Sequence, residues 1–233
     1  MKKIIICASI AGLIAVAANA QNANVTWQTP ATISGASDVS LSGTLYGTWA
    51  PGDDYYSAPT YVVNGVTFVT YGTPGVGFNI SGAGINMDRY NGFGNPNTAD
   101  ANYNSLLQVA EFNWNSGSSS MILAWNNMTP GDTYLVEMWL NDGRNNQSGS
   151  STFTGGANTS GSVAIGNNVP GQYIIGEFVA DSSGSENITM APGIMLNLVQ
   201  VRDITPVPEP STLALFAAGV GAMFCGFRRR NRV

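Results

Sequence analysis

Tyr134-Leu135-Val136-Glu137-Met138-Trp139-Leu140 is the stretch that decides the fold. Successive side chains of an extended chain point to opposite faces, so Tyr134, Val136, Met138 and Leu140 share one side. That side is expected to be core. The other carries Leu135, Glu137 and Trp139, and is expected to be partly covered and partly free for function. Gly131-Asp132 before it and Asn141-Asp142-Gly143 after it are turn residues, so the run reads as a strand between loops.

The same pattern recurs in both directions along the chain. Strands are expected at residues 66–71, 105–114, 120–125, 172–180, 187–190 and 195–202, with weaker ones at 24–28 and 43–48. Within 172–180, Ile174, Gly176 and Phe178 fall on one side and Tyr173, Ile175, Glu177 and Val179 on the other, which suits a strand inside a sheet. No run of about twelve residues or more carries a helical apolar stripe. The fold class expected is all-β, a two-sheet antiparallel β-sandwich or jelly roll, with one terminal transmembrane helix in the precursor. Residues 148–161, rich in Ser, Thr and Gly, read as a surface loop, and the stretch between Gly72 and Asn104 as a long loop suited to binding.

The two ends differ in character from this body. Met1-Lys2-Lys3, an apolar run over 4–18 and Ala18-Asn19-Ala20 before Gln21 form the basic start, apolar core and small-residue cleavage site of a secretory signal peptide. Ala18 and Ala20 mark the cleavage, with the Sec translocon and signal peptidase as expected partners. At the other end, Pro208-Glu209-Pro210 precedes an apolar stretch and then Arg228-Arg229-Arg230-Asn231-Arg232. A helix over 212–227 would cover about 24 Å, marginal for a bilayer core but workable with snorkelling arginines. The arginines would stay cytoplasmic and leave the rest outside. Three segments result: a signal peptide over 1–20, an ectodomain over 21–205 and a terminal segment over 206–233. Cys7 and Cys225, the two cysteines, lie in the end segments, so the body is expected to hold no disulfide and no thiolate metal site.

Composition closes several chemistries. The 233 residues contain no His, which removes His-based triads, His-ligated zinc and haem, and imidazole switches. Residues 21–205 carry three arginines, Arg89, Arg144 and Arg202, and no Lys, against 13 carboxylates, a net charge of −10. Such a body is a poor ligand for phosphate backbones, so no nucleic-acid partner is expected, and it lacks a lysine for Schiff-base chemistry.

The remaining candidates are few. Sugar recognition by a sandwich needs an aromatic ring to stack on a pyranose face and polar groups for its hydroxyls. Trp49, Tyr55, Tyr56, Tyr90, Phe93 and Trp139 could supply rings, and Arg144 a polar partner. Asp53, Asp54 and Asp142 offer oxygen ligands for a structural calcium, although neither segment matches an EF-hand loop. Hydrolysis by an acid–base pair would fall to Glu111, Glu137 and Glu177. No cofactor is expected beyond that calcium.

Pro208-Glu209-Pro210, the short apolar stretch and the terminal arginine cluster resemble the PEP-CTERM sorting segment, also labelled an ice-binding protein C-terminal motif. The resemblance implies processing by an exosortase-type membrane protease in bacteria that make extracellular polysaccharide. More loosely, the run from Gly131 to Asp142, the strand opened by Gly171-Gln172-Tyr173 and the closing run from Met195 to Arg202 are similar to galactose-binding-like and malectin-like carbohydrate-binding jelly rolls. The expectation is therefore an exported, non-catalytic surface or matrix sandwich that associates with extracellular polysaccharide. A jelly-roll glycoside hydrolase or lyase, and a purely structural surface protein, are the alternatives.

Overall fold

The computed structural model describes residues 22–51, 60–69, 77–82, 87–94, 96–113, 120–144, 149–167, 169–192 and 195–207. Along the chain these form β1 (Thr26–Trp27), β2 (Ala31–Thr32), a 3-10 turn (Ala36–Asp38), β3 (Thr44–Trp49), β4 (Tyr61–Val63) and β5 (Val66–Phe68). Next come β6 (Asn79–Ser81), β7 (Met87–Asn91), α1 (Ala101–Leu107), β8 (Val109–Asn113), β9 (Met121–Trp125) and β10 (Thr133–Leu140). The rest are β11 (Ser150–Gly155), β12 (Asn158–Thr159), β13 (Val163–Ala164), β14 (Gln172–Val179), β15 (Glu186–Ala191), β16 (Met195–Leu196) and β17 (Leu198–Asp203).

Two antiparallel sheets make the sandwich. The first runs β1-β14-β10-β17-β3, with β2 also on β14, and the second β12-β11-β15-β9-β6, with β13 on β11. Tyr134, Val136, Met138 and Leu140 point between the sheets as expected, against Met121, Leu123, Trp125, Phe153, Ile188 and Met190 of the second. At about 1.5–3 kcal/mol for each large apolar side chain enclosed, this layer is the main stabilising contribution. β1 straddles both sheets: Val25 sits in the hollow left by Gly155 and Gly176, where a Cβ on either glycine would collide with it.

The opposite face of β10 departs from expectation, because it is wholly covered. Leu135, Glu137 and Trp139 are buried, and Trp139 belongs to a second core with Ile33, Val39, Phe68, Tyr103, Leu107 and Leu198. The segment over 33–39, the β4–β5 hairpin and α1 supply this cover.

Four other expectations change. The strand foreseen from residue 105 begins at Val109, because Asp100 caps α1 by accepting from the Tyr103 N–H. Tyr103, Leu106 and Leu107 then fall on one buried side of that helix. Residues 148–161 contain a β-hairpin, not a loop alone, since Ser151, Phe153 and Gly155 alternate inward. The long connection after Gly72 contains β6, β7 and α1. The last strand is also broken at Asn197, so that β16 pairs with β8 while β17 pairs with β10 and β3.

Candidate functional site

The sandwich has two unlike ends. β10 finishes at Leu140 beside Gln172, where β14 begins, and β17 begins at Leu198 beside Trp139. Asp142 and Ile165 join by a backbone hydrogen bond and Ile165 N–H donates to Gly149, so the start of β11 lies at this end too. The described connecting residues 92–94, 141–144 and 165–167 meet here, Gly143 N–H donating to the Phe93 carbonyl, which makes it the loop end. At the other end Tyr134 pairs with Asp203, and Thr129 N–H donates to the Tyr134 hydroxyl. Ala23 N–H donates to Glu186 Oε2 at 2.9 Å, and Glu186 pairs with Trp125. The chain thus enters and leaves the sandwich at the same end, opposite the loop end.

At the loop end, two buried asparagines lock the strand termini. Asn141 donates to the Gly94 and Leu107 carbonyls, and its Oδ1 accepts from Gly171 N–H. Asn197 Oδ1 accepts from Asn141 N–H at 2.7 Å, while its amide donates to the carbonyls of Leu107, Val109 and Asn141. On this base Asp142 is enclosed, and Arg144 grips it in a bidentate pair with Nε and Nη2 at 2.8 and 2.7 Å. The guanidinium lies over the Phe93 ring at 4.7 Å, with 40% of the Arg144 side chain exposed. The Asp142 carboxylate that was expected to face a calcium is therefore engaged by Arg144. Among the described residues no group of three or more His, Cys, Asp or Glu is placed to hold a metal. Asp53, Asp54, Tyr55 and Tyr56 lie outside the described residues, as do Ala18, Ala20, Pro208, Glu209, Pro210 and the expected helix over 212–227. Among the described residues no helix is long and apolar enough to cross a membrane.

Both tryptophans offered for sugar stacking are core residues. Trp139 has 0% exposure, with Tyr173 stacked on it at 6.2 Å and Phe68 edge-on at 6.0 Å. Trp49 is buried against Phe78. Neither presents a ring to solvent, because each lies under a neighbouring segment that its own strand does not encode. Phe93 is likewise buried and already carries Arg144, whereas Tyr90 lies on β7.

The three glutamates do not converge. Glu137 and Glu177 occupy diagonal positions on one face of adjacent strands, while Glu111 sits in the separate β16-β8-β7 sheet, in register with Arg89. Glu137 is fully enclosed: Oε2 accepts from Ser40 N–H at 3.1 Å and from Gln200 Nε2 at 2.7 Å, and Oε1 has no hydrogen-bond partner. Burial raises its carboxyl to about 7, against the lowering effect of those two hydrogen bonds. Sequence reasoning missed a second such group, Glu186, whose Oε1 is also unpartnered and whose carboxyl burial again raises to about 7. Its alternation with Ile188 and Met190 on one face was the available signal.

The chain leaves β17 through Ile204 and Thr205, which hydrogen-bond to Thr133, and then runs directly into Pro206. Residues 206–230 match the PEP-CTERM protein-sorting motif. The PEP-CTERM motif implies export, anchoring by the C-terminal segment before processing, and processing by exosortase, the sorting protease. None of the curated proteins matches the chain. One solved structure, titled for the promiscuous specificity of carbohydrate-binding modules of the β-sandwich superfamily, is 13% identical and covers 76% of this chain and 98% of its own, with a TM-score of 0.17. At that score the likeness carries no weight for fold or ligand.

Proposed function

We propose that this is an exported surface sandwich, held at the membrane by its C-terminal segment until exosortase processing, which associates with extracellular polysaccharide and performs no catalysis. The observation that carries this reading is the placement of the PEP-CTERM motif directly after the last strand, at the end of the sandwich opposite the loop end. An anchored chain would then hold its loops, with Arg144 among them, away from the membrane. The signal peptide over 1–20, the helix over 212–227 and a place in the extracellular matrix belong to the same reading. The absence of catalysis is supported by the separation of Glu111 from Glu137 and Glu177, and by the enclosure of Glu137.

The test has two arms. Glu209→Gln is expected to accumulate an uncleaved, membrane-held form in the native host, and normal release of that variant would refute the sorting role. The processed wild-type protein is expected to be retained on at least one polysaccharide in a panel, without release of reducing sugar. Released sugar would replace the adhesive reading by an enzymatic one, and retention lost in EDTA would add calcium to it.

A further inference from the structure

Four enclosed side-chain atoms without a hydrogen-bond partner gather beneath the cover of the first sheet: Glu137 Oε1, Gln200 Oε1, the Tyr103 hydroxyl and Trp139 Nε1. All four residues have 0% exposure. Glu137 and Gln200 are register partners on β10 and β17, Trp139 shares that face of β10, and Tyr103 of α1 packs in one cluster with Trp139. An enclosed polar atom left unmatched is destabilising, so four together need a physical reason. The hydrogen bonds at Glu137 supply it. Oε2 accepts from Ser40 N–H and from Gln200 Nε2, and the Gln200 amide also donates to the Ser40 carbonyl at 3.0 Å. With both amide hydrogens engaged, Gln200 has no donor left, and its Oε1 can only accept. A proton on Glu137 Oε1 places a donor among these acceptors, whereas ionisation leaves a charged oxygen enclosed and unmet.

Charged and titratable groups reach this spot from every layer. Asp38 comes from the cover, Tyr103 from α1, Tyr173 and the diagonal Glu177 from β14, and Arg202 from β17, with Tyr61 of β4 against the same cluster. Asp38 opposes ionisation of Glu137 more than Arg202 favours it, and the Arg202 guanidinium is itself engaged by the carbonyls of Leu41, Ser42 and Gly43. The covering segment is fastened at both ends, where Ile33 N–H donates to the Gly171 carbonyl at 3.0 Å and Arg202 holds residues 41–43. The span between can therefore bow outward while its ends stay in place. We propose that residues 33–40 form a pH-operated lid, closed on the sheet while Glu137 carries a proton and lifted once it ionises, when Oε1 takes up water and Asp38 repels it. Burial holds that proton up to about 7 in the closed state, against 4.5 for an ordinary carboxyl. The lid is thus shut at low pH and opens as pH rises through about 7. Lifting it bares the outer face of β10 and β14, where Tyr173 stacks on Trp139. The sandwich remains closed, because its own core lies on the other face of those strands.

Hydrogen exchange of the full chain, purified in detergent, tests this at about pH 5 and pH 8, with each rate divided by the unfolded-chain rate at the same pH. Protection over residues 33–40 is expected to fall on the order of fifty-fold between the two, while the centres of β9 and β11 stay far better protected than the lid at both. Glu137→Gln, which keeps the shape of the protonated carboxyl and a donor in its place, is expected to hold the lid protected at both pH values. A second readout needs no variant: the NMR shift of the Glu137 carboxyl carbon should titrate together with the loss of lid protection. The lid is overturned if residues 33–40 exchange only as fast as β9 and β11, if their fall in protection persists in Glu137→Gln, or if the carboxyl ionises without any change over 33–40.

Discussion

The two faces of the first sheet are buried by different means. Between the sheets the core is almost entirely apolar, from Tyr134 and Phe178 to Phe153 and Met190. On the outer face, aromatic and aliphatic groups share space with Glu137, Gln200, Arg202 and Asp38, all enclosed. The inner core is made by strands facing strands, so alternation alone excludes water. The outer core is made by a folded-over segment, a short hairpin and one short helix, and polar side chains tie that cover to the sheet. Ser40 and Gln200 meet on Glu137, Thr48 Oγ1 donates to the Thr67 carbonyl, and Asn64 reaches the Val39 carbonyl. A lid fastened by a few hydrogen bonds should yield before the sandwich beneath it.

The largest effect is expected inside. Phe153→Ala removes a fully buried ring between the sheets and should cost about 3–5 kcal/mol, read from urea unfolding as a global loss with one transition. A loss confined to the lid would break the comparison. Next comes pH. The folded state holds the Glu137 proton up to about 7, above the ordinary carboxylate value of 4.5, through burial and in the presence of Asp38, Arg202, Tyr103 and Tyr173 around it. Its contribution is fully present below 4.5 and lost as pH rises through about 7, on the order of 3 kcal/mol. Stability measured by urea from pH 4.5 to 8 should therefore fall with rising pH, and Glu137→Gln should remove part of that slope. Glu186, raised in the same direction, supplies the remainder, so a Glu137→Gln profile identical to wild type would show that the lid carries no such load.

The smallest effect distinguishes lid from sandwich most directly. Asp38 accepts from Ser34 N–H, Ser34 Oγ and Gly35 N–H, at 2.6, 2.6 and 2.9 Å. Asp38→Ala should cost about 1–2 kcal/mol. Hydrogen exchange should accelerate over residues 33–39 and 61–68 while β9, β11 and β15 keep their protection. Equal acceleration in both layers would mean that they open as one unit.

Much of the fold was legible because its long strands are periodic. Residues 133–140 and 172–179 announce their faces by alternation, and both lie in the interior of the sheet as that pattern requires. Of the lid only β5 was foreseen, within the strand expected over 66–71; β4 and α1 are three and seven residues long, too short for a period to stand out. Missing the lid is also what misplaced Trp139. Whether a strand's second face meets solvent depends on residues 33–68 and 101–107, which the strand itself does not reveal. Asp142 and Arg144 show another limit: their separation by Gly143 is visible in the sequence, but the bidentate grip exists only in the turn that follows β10. The sorting motif was legible, because its recognition depends on order along the chain and not on folding.

β17, the strand that leads to the anchor, is flanked on both sides, by β10 and by β3. It runs toward the exit, so tension on the C-terminal tether acts along its axis. Such a pull loads the cross-strand bonds of both neighbours together in shear, where an edge strand would be unzipped one bond at a time. Position in the sheet makes the tethered strand a mechanical member, suited to bear a pull on the chain while its C-terminal segment still holds it.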